Sequence, residues 1–297
     1  MERSPRTGGL GPYPVLLLNS VASYLIGLLL IQGLHSGVTV LVASAYHIPI
    51  TFDLQGLRFP ISNYSTLWTA DAIRMIFVSG PAACLLAGFA FAGWSLSLSG
   101  REVVRRDLFF WIAFHGINLA LGSILAGVLT SSGFAWFAKW VYMNETARFF
   151  IALLALFALG LAGILFTPIG LRSAPSLWYI RGSDRPLFYF SRFLVPWLMG
   201  SLIMLALRLP VLPLHDLILL GTPLLLIASL VTHSRSLHEQ DLEAVFLDAQ
   251  GTIDPEDPRA KLYAPPLSPR IRWCMVLLAL WLIAAYRSWL SAQIVIG

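Results

Sequence analysis

Long apolar runs separated by short polar blocks make up most of this chain. Seven runs are long enough to cross the hydrocarbon layer of a membrane, which is about 30 Å thick and takes about 20 helical residues. These runs cover residues 13–34, 70–98, 108–131, 147–171, 188–208, 214–232 and 272–294. We therefore predict an all-α fold, a polytopic transmembrane helical bundle that forms a single integral membrane domain over residues 1–297.

The composition agrees with this pattern. Hydrophobic residues make up 57% of the chain and charged residues only 12%, and the mean hydropathy is +0.75. Soluble domains carry about 25% charged residues, so a soluble surface of this size would lack enough charge. The net charge of +5 does not require a nucleic-acid partner, because the basic residues collect at the ends of the apolar runs. The lipid bilayer is the expected environment, with no nucleic acid.

The distribution of basic residues predicts an orientation. Loops on the cytoplasmic side of membrane proteins carry an excess of lysine and arginine. Thirteen of the twenty basic residues fall on one side of a seven-span topology: Arg3, Arg6, Arg101, Arg105, Arg106, Arg172, Arg181, Arg185, Arg235, Arg259, Lys261, Arg270 and Arg272. We therefore expect a cytoplasmic N-terminus and a C-terminus outside.

Two segments between the spans have patterns of their own. Val38–Ala45 is apolar but too short to cross, and it lies between two histidines, which predicts a re-entrant or interfacial segment near 35–50. In the loop 233–271, Ser236 and Glu239 form a capping box ahead of an apolar stripe. We read this loop as containing a short amphipathic helix at the cytoplasmic interface.

Polar side chains inside the spans are candidates for function, because such residues are costly in lipid. His115 and Asn118 are three residues apart and share one face of their helix. Asn19 lies at a similar depth from the same side of the membrane. These three residues predict a polar cluster in the inner half of the bundle, which either binds a ligand, proton or metal, or fixes helix packing through hydrogen bonds.

A second set of polar candidates lies on the predicted outer side: His35, His47, Asp53 and Asp71. Histidine and carboxylate are suitable zinc ligands, but none of these histidines shows the spacing of four typical of a helical metal site. We therefore assign no cofactor, and zinc remains an alternative. Asp71 and Arg74 are three apart at a span start, which predicts a structural ion pair.

Two short segments resemble the site-2-protease class of intramembrane metalloproteases. His35–Thr39, at the end of an apolar helix, is similar to that family's His-Glu-x-x-His zinc motif, and Ser79–Ala83 is similar to its Gly-Pro segment. Ser36 stands where the family has its general-base glutamate, and Thr39 stands where it has its second histidine. No Asn-x-x-Pro-x-x-x-x-Asp-Gly segment supplies a third ligand. The resemblance therefore implies a non-catalytic relative with a degenerate zinc motif.

No complete catalytic constellation is visible in the sequence, so we do not expect an enzyme. The first hypothesis is a non-catalytic membrane subunit that binds a membrane protein partner or forms a homo-oligomer. The alternative is a small-molecule or ion transporter that uses the polar cluster around His115. The third hypothesis is the degenerate metalloprotease relative. A polar cavity that reaches His115 would favour transport, whereas a fully packed interior would exclude it.

Overall fold

Seven helical segments are long and apolar enough to cross a membrane in the computed structural model, which describes residues 13–53, 56–98, 103–174, 179–180, 185–238, 270–291 and 294–296. These segments are Tyr13–Ala45, Ala70–Ser97, Val103–Thr130, Glu145–Arg172, Arg185–Arg208, Leu214–Ser236 and Trp273–Ser291. They confirm the predicted polytopic helical bundle and its seven spans. The chain is a multi-pass integral membrane protein.

The described helices and strands are, in chain order, α1 (Tyr13–Ala45), β1 (Ile50–Asp53), β2 (Gly56–Arg58), α2 (Ala70–Ser97), α3 (Val103–Thr130), α4 (Phe134–Trp140), α5 (Glu145–Leu165), α6 (Thr167–Arg172), α7 (Arg185–Tyr189), a π-helical turn (Phe190–Leu194), α8 (Val195–Arg208), α9 (Leu214–Gly221), α10 (Pro223–Ser236), α11 (Trp273–Ser291) and β3 (Ile294–Ile296). Three of the seven spans are therefore assembled from shorter helices. Pro168, Pro196 and Pro223 stand in the first turns of α6, α8 and α10. A proline lacks the N–H that a continuous helix needs, but it fits a first turn.

The first span differs from its prediction. Helix α1 continues without a break through residues 35–45, so the re-entrant form of the predicted segment near 35–50 is wrong for those residues, while its interfacial form stays a prediction. Its 33 residues extend for about 50 Å, at 1.5 Å per residue, so the helix projects beyond the hydrocarbon layer. His35 and Thr39 lie within the helix and do not end it. The Thr39 hydroxyl donates to the His35 carbonyl one turn earlier, 2.8 Å away. The helix ends before His47, which adopts φ 55° in a turn.

A small antiparallel sheet follows α1, which the all-α prediction did not include. Strands β1 and β2 form a hairpin, and β3 pairs with the other side of β1. Ile50 and Phe52 are buried while the residues between and after them are partly exposed, so the strand alternates as a half-buried strand should. Phe52 stacks on Trp289 of α11 with ring centroids 4.5 Å apart. The sheet thus covers one end of the bundle, which we call the hairpin end.

Helix α3 is the centre of the bundle and contacts α1, α2, α5 and α9. It begins at Val103, earlier than the predicted residue 108, and Phe110, Trp111 and Phe114 on it are fully buried. The contact with α2 is close: a Cβ on Gly116 would lie 2.6 Å from the Cys84 carbonyl oxygen. The backbones of these two helices therefore touch, as small residues at a membrane helix interface permit.

The predicted amphipathic helix in the loop 233–271 lies almost wholly outside the described residues. Helix α10 extends to Ser236, and the next described segment begins at Arg270.

Candidate functional site

A cavity of about 350 Å³ opens at the hairpin end of the bundle. Its walls come from α1, α2, α3, the β-hairpin, α9 and the ends of α8 and α11. We call it the hairpin cavity, and its polar lining consists of Gln32, His35, Ser36, Thr39, Ser123, Ser132, Arg208, His215, Asp216 and Tyr286. Aromatic rings from Phe52, Phe59, Phe77 and Phe134 complete the wall. The cavity thus offers both hydrogen-bonding groups and apolar surface.

His35 lies on α1, against α2. A Cβ on Gly80 would lie 2.7 Å from the Thr39 hydroxyl and 2.8 Å from a carbon of the His35 ring. Only glycine leaves room for the imidazole at this point, since real Cβ atoms do not approach so closely. The two sequence segments that carry the metalloprotease resemblance therefore contact each other in the fold.

His215 begins α9 and is held by two hydroxyl groups from the end of α3. Its Nδ1 atom lies 3.1 Å from Ser132 Oγ and 3.3 Å from Thr130 Oγ1, and the two hydroxyls are 2.7 Å apart. His35 lines the same cavity as His215. The sequence places these two histidines 180 residues apart, and only the bundle brings them to one cavity.

An ion pair between Arg208 and Asp216 lies at the base of the hairpin cavity. Arg208 donates through Nη1 to Asp216 Oδ2 and through Nη2 to the hydroxyl of Tyr286, 3.0 Å away. The two charged side chains are 12% and 20% exposed. The pair and the Tyr286 hydroxyl connect α8, α9 and α11.

A second, smaller cavity of about 30 Å³ lies behind this ion pair, and we call it the inner pocket. Its lining residues are Leu28, Gln32, His115, Asn118, Leu119, Met204, Arg208, Asp216, Leu219 and Leu220. Gln32, Arg208 and Asp216 line both cavities, so the two are neighbours separated by these side chains. The structure thus places His115 and Asn118 together in a pocket that these side chains separate from the hairpin cavity.

Several polar atoms of the inner pocket lack partners. His115 is 1% exposed and lies between the rings of Tyr24 and Trp111, at centroid distances of 4.5 and 5.9 Å. The backbone of Tyr24 is a hydrogen-bonding neighbour of the His115 ring, although no bond to either ring nitrogen has good geometry. Asn118 Oδ1 and Gln32 Oε1 have no hydrogen-bond partner among the described residues. A buried polar group without a partner costs about 1–3 kcal/mol, so several in one place indicate a site for a ligand or for water.

Asn19, the third residue of the predicted cluster, does not reach His115. Its side-chain amide donates to the Arg270 carbonyl at 3.2 Å and accepts from the Arg272 backbone N–H at 2.9 Å. Asn19 therefore fastens the start of α11 to α1. Asn19 and His115 were predicted at a similar depth in the membrane, but Asn19 lies on a face of α1 that is directed at the start of α11.

A buried charged cluster at the opposite end of the bundle was missed by sequence reasoning. Arg192, in the π-helical turn, donates to Asp107 at 2.5 Å, and Ser23 donates to the other carboxylate oxygen at 2.9 Å. Arg192 also donates to Ser20 at 2.7 Å, and Arg272 lies 3.6 Å from Asp107. We call this the basic-end cluster. An arginine inside an apolar span was the available signal, because such a residue requires a partner.

The central pair of the basic-end cluster is shielded from solvent. Arg192 is 2% exposed and Asp107 is fully buried. Burial lowers the pKa of Arg272, and the neighbouring Asp107 carboxylate opposes that effect. The cluster connects α1, α3, the π-helical turn and the start of α11, so it closes the bundle at this end with charge-assisted hydrogen bonds.

The other predicted outer-side residues stay apart from the cavities. His47 is exposed in the turn after α1. Asp53 lies 3.6 Å from Arg58 within the hairpin, and Asp71 lies 3.7 Å from Arg74. The last contact confirms the predicted structural pair. Among the residues described by the structure, no three His, Cys, Asp or Glu side chains lie close enough together to hold a metal ion.

The contact between α2 and His35 gives a testable prediction. Replacing Gly80 with alanine is expected to displace the His35 ring and to lower the free energy of unfolding by about 1–3 kcal/mol, as overpacking does. Diethylpyrocarbonate modification, followed by mass spectrometry, should then be faster at His35 and unchanged at His47. Gly93→Ala is the matched control, because nothing lies within 4 Å of the position of its Cβ. An unchanged rate at His35 would contradict the contact.

The fold and the cavities define a class: a seven-span helical membrane protein with a partly polar cavity that opens at one end. The chain matches no protein-family model, no curated protein and no solved structure.

Proposed function

We propose that this membrane protein binds a small molecule in the hairpin cavity and transports it across the bilayer. The observation that carries the proposal is the cavity of about 350 Å³, with the inner pocket that contains His115 directly behind Arg208 and Asp216. Small-molecule sites have volumes of about 300–1,000 Å³, with apolar walls and a few placed polar groups. A fully packed bundle would offer no such site.

The broken spans support movement as well as binding. Helices α9 and α10 meet at Thr222, next to α3, where a Cβ on Gly122 would lie 2.9 Å from the Thr222 hydroxyl. Leu219, in the last turn of α9, accepts a hydrogen bond from Asn118. Discontinuous helices commonly form the substrate sites of transporters, because their ends leave backbone groups available. One such break lies directly beside the inner pocket.

The proposed direction of access follows from the charges. The spans alternate so that Arg192 and Arg272 come to the end opposite the hairpin. Loops on the predicted cytoplasmic side carry most of the basic residues, so the hairpin cavity would open to the outside. Phe110, Trp111 and Phe114 are fully buried on the other side of His115, so the bundle is closed there. This arrangement corresponds to the outward-open half of an alternating-access cycle.

The other two hypotheses remain predictions. An apolar surface that faces lipid and one that binds a membrane protein partner have the same composition. The exposed apolar surface of this bundle therefore does not favour the subunit hypothesis. The contact between Gly80 and His35 favours the degenerate metalloprotease relationship, because it joins the two segments on which the resemblance rests. Such a relative would also use this cavity for binding, without hydrolysis.

Cysteine labelling tests access to the hairpin cavity. In a background with Cys84→Ala and Cys274→Ser, Ser36→Cys should react with a membrane-impermeant thiosulfonate added from the hairpin side. Ala113→Cys is the control, because Ala113 is fully buried on α3. We expect labelling of Ser36→Cys from one side of the membrane only. Equal labelling of both variants, or no labelling at position 36, would contradict an open cavity.

Binding and transport are tested on the purified chain in nanodiscs and proteoliposomes. A panel of amines, carboxylates, amino acids and sugars should contain compounds that raise the unfolding temperature of the wild type but not of Ser36→Trp, which fills the cavity. Phe157→Trp, on the exposed face of α5, is the matched control. Compounds that pass should accumulate in proteoliposomes. Binding without uptake would overturn the transport part, and no dependence on Ser36→Trp would overturn the binding part.

A further inference from the structure

We propose that the inner pocket binds an ammonium group, either as the free ammonium ion or as the head of a larger primary amine whose body occupies the hairpin cavity. The larger-amine case rests on the proposed function, because it uses the same cavity. The proposal follows from the unpartnered atoms of the inner pocket, from its volume and from its neighbouring charges.

The unpartnered atoms of the inner pocket are mainly acceptors. The orientation of the Asn118 amide is set, because its Nδ2 donates to the Leu219 carbonyl at 3.3 Å, and its Oδ1 atom is left without a partner. The buried Oε1 atom of Gln32 is a second acceptor without a partner. A neutral imidazole presents one donor and one acceptor. The Tyr24 backbone carbonyl is next to the His115 donor, so His115 adds its other nitrogen as a third acceptor. A complementary ligand must therefore donate several hydrogen bonds.

The volume limits that ligand to one small group. A cavity of about 30 Å³ accommodates a group the size of a water molecule or an ammonium ion. Water donates two hydrogen bonds and a primary ammonium donates three. A carboxylate or phosphate donates none when ionised, so the acceptors of Asn118 and Gln32 would repel it. Size and hydrogen-bond polarity thus agree on an ammonium group.

The charges around the inner pocket favour the same choice. Asp216 is the carboxylate on its wall, and Arg208 is the cation. Each terminal nitrogen of Arg208 donates one hydrogen bond to the protein, to Asp216 and to the Tyr286 hydroxyl, so the guanidinium is held against the wall of the pocket. An ammonium group that enters past this pair can share the Asp216 carboxylate. The aromatic rings of Tyr24 and Trp111 beside His115 carry no opposing charge.

The test uses the full chain in nanodiscs and defined ions. We expect ammonium and methylammonium chloride to raise the unfolding temperature above that in potassium chloride at equal ionic strength. Tetramethylammonium, which has no N–H donors, should not. Asn118→Leu and Gln32→Leu should each weaken ammonium or methylammonium binding about tenfold or more, the effect of losing a hydrogen bond to a charged group. Asn63→Leu, at an exposed loop position, is the matched control and should bind as wild type.

Amines of increasing size distinguish the two sources of the ammonium group. Binding of free ammonium that Ser36→Trp leaves unchanged would identify ammonium itself as the ligand. Binding only of butylamine or phenethylamine, lost in Ser36→Trp, would identify the head group of a larger amine. Both results support the proposal.

Other results would overturn it. Equal unfolding temperatures in ammonium, methylammonium, butylamine and potassium salts would show that the inner pocket holds only water. Unchanged amine binding in both Asn118→Leu and Gln32→Leu would place the amine elsewhere. If a compound of another class binds the hairpin cavity and is blocked by Ser36→Trp, while no amine binds, the proposed function stands and this inference fails.

Discussion

Replacing Asp107 with leucine is expected to lower the free energy of unfolding by about 3–5 kcal/mol, the usual cost of removing one partner of a buried ion pair. Asp107 is fully buried and is the carboxylate that faces both Arg192 and Arg272. The Arg192 side chain is 2% exposed. Without the Asp107 carboxylate, its guanidinium would retain only the hydroxyls of Ser20 and Ser173 as partners among the described side chains. Denaturant unfolding in lipid nanodiscs measures the loss.

A double variant separates the cost of an unpaired charge from the loss of one side chain. Adding Arg192→Met to Asp107→Leu should restore part of the lost stability, because well-packed apolar residues can replace a buried ion pair. Arg74→Ala is the surface control. Its partner Asp71 is 79% exposed, so the change should cost no more than about 1 kcal/mol. If Asp107→Leu were as mild as Arg74→Ala, Asp107 would not be the counter-charge of the basic-end cluster.

Replacing Gly116 with leucine is expected to prevent the normal packing of α2 on α3 and to cost about 3 kcal/mol or more, above the usual range for overpacking. A Cβ at position 116 would lie 2.6 Å from the Cys84 carbonyl oxygen and 2.8 Å from the Gly88 Cα atom. These are backbone atoms, which cannot move aside as a flexible side chain can. Unfolding in nanodiscs and the yield of monodisperse protein measure the effect.

Gly93→Leu controls for the helix propensity and bulk of leucine. Gly93 also lies in α2, and nothing lies within 4 Å of the position of its Cβ. We expect this variant to be as stable as the wild type or slightly more stable, because glycine is the weaker helix former. Similar behaviour of the two leucine variants would contradict the close contact of α2 with α3.

The two polar centres of the bundle fit different roles. The basic-end cluster is well supplied with hydrogen bonds, so it holds α1, α3 and α11 together. The inner pocket has few hydrogen bonds, and several atoms without partners line it. Tyr24 and Trp111 lie between the two centres on α1 and α3. Transport would therefore require the basic end, with its many hydrogen bonds, to open. We expect this end to open more slowly than the hairpin end.

The sequence by itself determined the membrane class, the number of spans and the local ion pair of Asp71 with Arg74. Lipid penalises every exposed polar backbone group, so a run of apolar residues is helical whatever its neighbours are. The sequence also placed His115 and Asn118 on one face, because residues three apart in a helix are neighbours on its surface. In each of these cases the interaction that determines the structure lies within a single span.

The tertiary structure decided which distant polar groups meet. Asn19 pairs with the backbone near Arg272 rather than with His115, because the rotation of α1 follows from its packing and not from its depth. The sequence predicted that the first span ends just before His35. In the structure α1 continues past His35, whose ring packs against Gly80 of α2. The inner pocket exists only because α1, α3, α8 and α9 enclose it, and no local pattern specifies a space between helices.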